Sequence, residues 1–594
     1  MADEDIIKGG SFLLEMPDPQ KVFTPEDFTD EHKMMAKTTM DFTLEKVWPY
    51  RDQINEKDYD LLKRLIREAG ELGLLGADVP EEYGGSGLDK ISSMVITEYL
   101  VYGGGSYSVT FGAHTGIGSL PIVYFGNKEQ KQRFLPDLAE GKKIAAYALT
   151  EPGAGSDAMN IKTKATLSAD GKYYILNGTK QFITNAAIAD VFIVFAKVDG
   201  EKFTAFIVEK GTEGFSIGAE EHKMGIKGSS TCSLIFEDAK VPVENVLFEV
   251  GRGYRVAFNI LDIGRQKLAV GCVGSCKLVI ELAVKYALER VQFGVPIAQF
   301  GLIREKIADM AIKTYAAESA VYRASGLIDA KLHTVDVTAE DAGQQSLKAI
   351  EDYAIECSIN KVLGSETLDY VADEGVQIFG GYGYTYEYPV EEAYRDARIN
   401  RIFEGTNEVN RLLIPGTMVR KAMKGELDLM GAIGRLGEDI RAALAAEPDG
   451  SVLGEEKVAT DRVKKVLLMV AGNAVQKFGT ALEKEQEILR LLGDIGIELF
   501  AMESALLRTL KAIQRDGEEA ASLKIAYTKA YVHDALPRIA TLAKNGMAAI
   551  EADAETLAKR IATIERLTAH SPINVIGIKR QIAEKVIEAG KYVV

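Results

Sequence analysis

The chain has 594 residues, 47% of them hydrophobic and 26% charged, with a formal net charge of -17. That length exceeds what one hydrophobic core serves, so several domains are expected, and the ordinary composition excludes a disordered or fibrous protein. The acidic surface field repels polyphosphate and argues against nucleic acid as a partner.

Four cysteines (Cys232, Cys272, Cys276, Cys357) without a close CxxC pair give no disulfide framework. Cys272 and Cys276 share a helix face, but no histidine or second cysteine pair accompanies them, so they read as packing and no metal site is expected. The start, MADEDIIKGGSF, lacks the basic and apolar regions of a signal peptide, and no stretch approaches the roughly 20 apolar residues of a membrane span. The expected compartment is the cytoplasm.

From about 24 to 145, Leu61, Leu62, Leu65 and Ile66 recur at helical spacing, with breaks at Pro80 and at the glycine pair of EEYGGSG. This predicts a helical domain over 1–145. Within it, VTFGAHTGIGS (109–119) crowds Gly112, Ala113, Gly116 and Gly118 on one helix. Such a stripe either leaves a groove for a ligand or lets helices pack closely. Near 146 the texture changes to short runs rich in Val, Ile, Phe and Thr, and Asp199-Gly200 supplies a hairpin turn between two of them. A small β domain over 146–248 follows. From Gly253 helical periodicity returns, first in the run Ala269 to Arg290, then over Ile303 to Ile328 and Ala339 to Glu374, which predicts a bundle over 249–425. After the turn-like EPDGS (447–451), one apolar face carries Val463, Val466, Leu467, Val470, Ala474 and Phe478. Another carries Ile488, Leu492, Ile495, Leu499, Met502 and Leu506. The segment 430–594 therefore reads as a second helical bundle, without a catalytic motif of its own.

Five motifs carry chemistry. AYALTEPGAGSDA (146–158) sets small residues between Glu151 and Ser156, either a plain turn or a place where backbone N–H groups approach a phosphorylated ligand. KQFITNAA (180–187) ends a strand at Thr184 beside the aromatic Phe182. In RVQFG, Arg290 and Gln292 emerge at a helix C-terminus, as surface residues or as phosphate contacts. QIFGGYGY (377–384) brings Gly380, Gly381 and Gly383 into a helical region, where each costs about 1 kcal/mol and so marks a loop or close approach. RIFEGTNEVNR (401–411) places Glu404 between apolar Ile402, Phe403 and flexible Gly405. It is either a surface carboxylate at a helix start or a desolvated general base of raised pKa.

In this order, and with MGIKGSSTC between them, these motifs resemble the acyl-CoA dehydrogenase family over about residues 50 to 420. The resemblance implies a mostly α fold with an inserted small β domain: a helical domain, a β-barrel domain and a four-helix bundle, here extended by the second C-terminal helical bundle. It implies FAD held by Thr150, Ser156, Phe182 and Thr184, with Thr406 and Glu408 near it. Arg290, Gln292, Gln377, Gly380 and Gly381 would hold the FAD of a neighbouring subunit, so a homo-oligomer, with a dimer favoured, is expected. Phe182 stands where the family often has Trp.

Glu404 matches the family's base, which removes the α proton of an acyl-CoA while the β hydride passes to FAD, giving a trans-2-enoyl-CoA. Gly264 occupies the position where some branches carry that base instead. Ser229, Asp262, Arg265 and Gly405 match substrate-binding positions. The extension and the FGLI stretch from Phe300 are similar to the very-long-chain branch. That implies long-chain acyl-CoA as substrate, beta-oxidation as the process and an electron-transferring flavoprotein as acceptor. An oxygen-using acyl-CoA oxidase and a non-catalytic helical scaffold are the alternatives. Membrane attachment through the extension is not favoured, because no helix shows a dense Lys/Arg face with Trp anchors.

Overall fold

The computed structural model describes residues 6–337, 339 and 341–594. The first five residues of the acidic start, and residue 340 of the third predicted bundle helix, lie outside the described residues. Leu61, Leu62, Leu65 and Ile66 are buried, as their spacing requires. Helix α1 (Lys90–Leu100) is capped by Asp89, whose carboxylate accepts from the Ser92 N–H at 2.7 Å. Helix α2 (Gly105–Gly112) widens into a π-type turn over Ala113–Gly118.

The β domain has eight strands: β1 (Ala145–Ala148), β2 (Lys164–Leu167), β3 (Tyr173–Thr184), β4 (Val191–Val198), β5 (Lys202–Glu209), β6 (Phe215–Glu220), β7 (Thr231–Pro242) and β8 (Val246–Leu247). They run in the order β6-β7-β3-β2-β4-β5-β8, with β1 parallel to β4. Asp199 (φ 56°) and Gly200 (φ 79°) turn β4 into β5, the doubly left-handed turn that suits strand twist.

The bundle begins with α3 (Gly253–Glu289), which starts where helical periodicity returns in the sequence. Its first half buries Asp262, Arg265 and Gln266 among apolar residues. Helix α4 (Gly301–Leu332) agrees with expectation. The third predicted helix is broken: a short helix over Ala342–Glu351 ends before Asp352, and α5 (Ala354–Phe379) starts anew. At the break the Asp352 carbonyl turns outward to accept from Lys421 Nζ at 2.7 Å, a long-range contact invisible to local periodicity. Then come α6 (Pro389–Ala397) and α7 (Asn407–Met423).

The extension contains α8 (Gly454–Phe478), α9 (Gln486–Asp516) and α10 (Ser522–Ile550), with shorter helices on either side. Both predicted apolar faces are buried except Phe478, which is half-exposed. Helix α9 crosses α7 closely at Gly493, where a Cβ would lie 2.7 Å from the Arg411 carbonyl. It joins α4 through a fully buried ion triad, Glu503 with Arg323 (2.8 Å) and Lys464 (2.5 Å). No helix among the described residues is long and apolar enough to cross a membrane.

Candidate active site

Glu404 lies in the loop between a 3-10 turn (Arg398–Arg401) and α7, at φ 57°. A non-glycine residue in that left-handed region costs about 1–2 kcal/mol and must be held there. Three donors hold it by the backbone: Arg265 Nε to the Glu404 carbonyl (3.3 Å), and Lys361 Nζ (2.8 Å) and Asn410 Nδ2 (2.9 Å) to the Gly405 carbonyl. Lys361 also grips Asn407 Oδ1 at 2.7 Å, and burial pulls its amine down to about 8. Thr406 caps α7 by accepting from the Val409 N–H at 3.2 Å, and Glu408 is exposed in its first turn. Asn407 Nδ2 reaches Glu366 (3.0 Å), which Arg411 clamps with two bonds (2.7 and 2.8 Å) while its Nε reaches Asp494 of α9 (2.6 Å). A polar chain thus runs from the loop into the extension.

The Glu404 carboxyl points inward, and its Oε2 is buried with no protein partner. Burial raises its pKa to about 7, against the opposing charges of Arg265 and Lys361. A Cβ on Gly264 would come within 2.9 Å of that oxygen, so glycine there makes room for the carboxyl. Asp262 is paired with Arg265 at 2.8 Å, and burial pushes its pKa up to about 6. That pair supports the loop and does not line the cavity.

From Glu404 an elongated cavity runs between three walls. Helix α3 presents Gly264, Leu268, Gly271, Ser275, Leu278 and Leu282, an apolar or small stripe at helical spacing. Helix α2 and its π-type turn present Gly105, Val109, Gly112, Ala113 and Ile117. Helix α6 presents Pro389, Ala393 and Ala397, together with the carboxylates Glu392 and Asp396. The glycine stripe of 109–119 serves both purposes left open by the sequence. A Cβ at Gly112 would meet nothing within 4 Å, whereas one at Gly118 would strike Ala145 at 2.8 Å.

Thr184 ends β3 in the same cavity. Just before it, a bulge between Lys180 and Ile183 puts Phe182 at φ 58° and leaves it 57% exposed, an aromatic face turned out of the sheet. The Thr150 carbonyl accepts from the Gln181 N–H at 2.9 Å, joining the first motif to the second. The turn after it is pinned by Glu151, buried against Lys180 (2.7 Å), Thr163 Oγ1 (2.5 Å) and the Lys162 N–H (2.5 Å). Gly153 and Gly155 face open space, and Ser156 is exposed beside them. An exposed ring, bare backbone and a free hydroxyl together fit a flat cofactor with a phosphorylated tail.

A second hollow, separate from the first, gathers Arg290, Gln292, Gly380 and Gly381. The Arg290 guanidinium lies 5.4 Å over the Tyr382 ring, and no atom would meet a Cβ at either glycine. Gln377 is exposed in the last turn of α5 and does not line the hollow. Ser229 is fully buried with an unpartnered Oγ, outside the Glu404 cavity. Sequence reasoning missed Lys361, Glu151 and Lys180. The signal for Lys361 was a lone lysine inside the apolar helical run CSINKVLG.

Family models match most of the chain: the acyl-CoA dehydrogenase N-terminal domain at 29–142, middle domain at 146–239 and C-terminal domain at 251–418, with a second C-terminal-domain model at 462–564. A probable acyl-CoA dehydrogenase of Bacillus subtilis (strain 168) is 55% identical over 592 residues, 99% of each chain. The very long-chain specific acyl-CoA dehydrogenase of Homo sapiens mitochondria is 34% identical over 568 residues, 86% of this chain and 83% of that one. The crystal structure of an acyl-CoA dehydrogenase complexed with FAD from Bacillus anthracis is similar with a TM-score of 0.98 at 55% identity, covering 99% of this chain and 100% of that chain.

Proposed function

The chain belongs to the acyl-CoA dehydrogenase family, and from that premise we propose that Glu404 removes the α proton of a long-chain fatty acyl-CoA on the way to a trans-2-enoyl-CoA. The protein is an FAD-dependent enzyme, and bound FAD supplies the hydride acceptor. The observation that carries the assignment is the partnerless, buried Oε2 of Glu404 at the head of an apolar cavity, with its pKa raised to about 7. Held in its left-handed turn, the Glu404 backbone N–H would serve as a fixed donor for the charge that develops on the thioester carbonyl. Phe182, Thr184, Thr150 and Ser156 would hold the cofactor's ring and tail. Anaerobic addition of palmitoyl-CoA to the yellow protein tests the reading: the flavin should bleach, and an unbleached spectrum rejects it.

The length of the cavity supports a long substrate. Its α3 wall spans Gly264 to Leu282 and its α2 wall Ile117 to Gly104, roughly 27 and 20 Å at 1.5 Å per residue. At about 1.3 Å of advance per carbon, from bonds of roughly 1.5 Å, this houses about 15 to 20 carbons. Each buried methylene contributes roughly 0.8 kcal/mol, so catalytic efficiency should climb steeply with chain length until the groove is filled. Ala113→Glu narrows the groove about a third of the way along its α2 wall from Glu404 and is expected to move the optimum to medium chains. Equal losses at every chain length, or a wild type preferring butyryl-CoA, contradict this.

The Arg290 hollow supports a shared FAD site in a homodimer, because it is separate from the Glu404 cavity and flanked by Phe293 and Tyr384, 95% and 90% exposed. Arg290→Ala should weaken FAD retention through loss of a charge-assisted contact to pyrophosphate. The check is the FAD content after gel filtration, and full retention counts against the shared site. An electron-transferring flavoprotein is the proposed acceptor. Stoichiometric peroxide from air-exposed turnover would place the enzyme with the oxidases.

A further inference from the structure

Trp48, the sole tryptophan in the chain, lines the same cavity as Glu404. It opens a 3-10 turn (Trp48–Tyr50) that follows a π-type turn over Thr43–Val47. Its neighbours fix its place along the cavity. A Cβ on Gly103 would lie 3.0 Å from Val47, and one on Gly104 would lie 3.8 Å from Arg51, at the N-terminal end of α2. The other end of that wall is Ile117, 3.4 Å from a Cβ built on Gly264 beside the Glu404 carboxyl. Trp48 and Glu404 therefore stand at opposite ends of the α2 wall.

The indole is clamped. The Arg51 guanidinium lies 5.0 Å over its ring and pairs with Glu392 of α6 at 3.3 Å, and Asn55 Nδ2 donates to the same carboxylate at 2.7 Å. Glu392 lines the cavity as well, so the ion pair ties the turn that carries the indole to α6. Near it Gly104 and Gly105 line the cavity without side chains, and a Cβ at Gly105 would strike Asp396 at 2.3 Å. A large rigid ring set among glycines at the remote end of an apolar channel is a stop.

We propose that Trp48 is the residue that meets the methyl end of a long acyl chain and sets the upper limit of chain length. The inference rests on the reading of Glu404 as the base that fixes the thioester end. The α2 wall, about 20 Å by its helical rise, puts the stop roughly 15 carbons from the thioester. Lauroyl and shorter chains end before the indole, palmitoyl reaches it, and eicosanoyl presses on it. One methylene too many in a fixed pocket is worth about tenfold or more in specificity.

The chain carries its own probe. In the FAD-loaded wild type, titrated anaerobically with octanoyl-, lauroyl-, palmitoyl- and eicosanoyl-CoA, the Trp48 emission maximum should stay put for the two shorter chains. It should move to shorter wavelength for palmitoyl-CoA, as the alkyl end displaces water from the ring. Trp48→Ala should raise the ratio of kcat/KM for eicosanoyl- over lauroyl-CoA about tenfold, and Trp48→Phe should give an intermediate ratio with wild-type FAD content. Flavin bleaching by palmitoyl-CoA without any movement of the emission, or the same movement with octanoyl-CoA, overturns the inference alone. An unchanged length ratio in both variants does so too. No bleaching with any chain overturns the reading of Glu404, and this inference with it.

Discussion

Glu404→Gln is expected to slow flavin reduction by palmitoyl-CoA about a thousandfold while leaving the protein yellow and able to bind the thioester. The amide has the size of the carboxyl but cannot take a proton. The left-handed loop should survive the change, because Arg265, Lys361 and Asn410 hold it through the carbonyls of residues 404 and 405 rather than through the side chain. Burial has already made the charged carboxyl costly, so the neutral amide should not destabilise the fold. Stopped-flow bleaching under anaerobic conditions measures the effect. A variant that bleaches at nearly the wild-type rate would show that another group is the base.

The largest expected effect on stability lies far from the chemistry. Glu503 of α9 neutralises Arg323 of α4 and Lys464 of α8, and all three side chains are shielded from solvent. Glu503→Ala leaves two cations buried without a counter-charge, a loss of about 3–5 kcal/mol or more. Unfolding of the extension at markedly lower urea concentration is the expected result. Replacing all three residues with apolar side chains of similar volume should restore most of the loss, because the triad's own desolvation is costly. A single Glu503→Ala variant as stable as wild type would mean that water reaches the triad.

What could be read from the sequence follows from what is local. The alternating and helical apolar patterns give the β domain and the helices of the bundle and extension, because each pattern is the buried face of one element. The motif order brings Glu404, Thr184 and Gly264 into one reading, and they meet at one cavity. What stayed hidden depends on partners distant in the chain. The break at Asp352 exists because Lys421 takes its carbonyl. Lys361 becomes visible as a positioning residue only when the loop carbonyl of Gly405 is seen 2.8 Å from its amine. Phe182 needed the bulge to show why an aromatic residue in a strand faces outward. The glycines of 109–119 could not be sorted by sequence, since only their surroundings separate Gly112, which opens a groove, from Gly118, which permits packing.

The central claim is that a buried carboxyl with its pKa raised to about 7 acts as the base in its ionised form. The direct measurement is the pH dependence of the bimolecular rate of flavin bleaching by sub-saturating palmitoyl-CoA, under anaerobic conditions. Because the deprotonated form is active, the rate should rise about tenfold per pH unit through the acid range, bend near pH 7 where Glu404 titrates, and level off above it. A rate that stays flat down to pH 5, or one that falls as pH rises through 7, contradicts Glu404 as the proton acceptor.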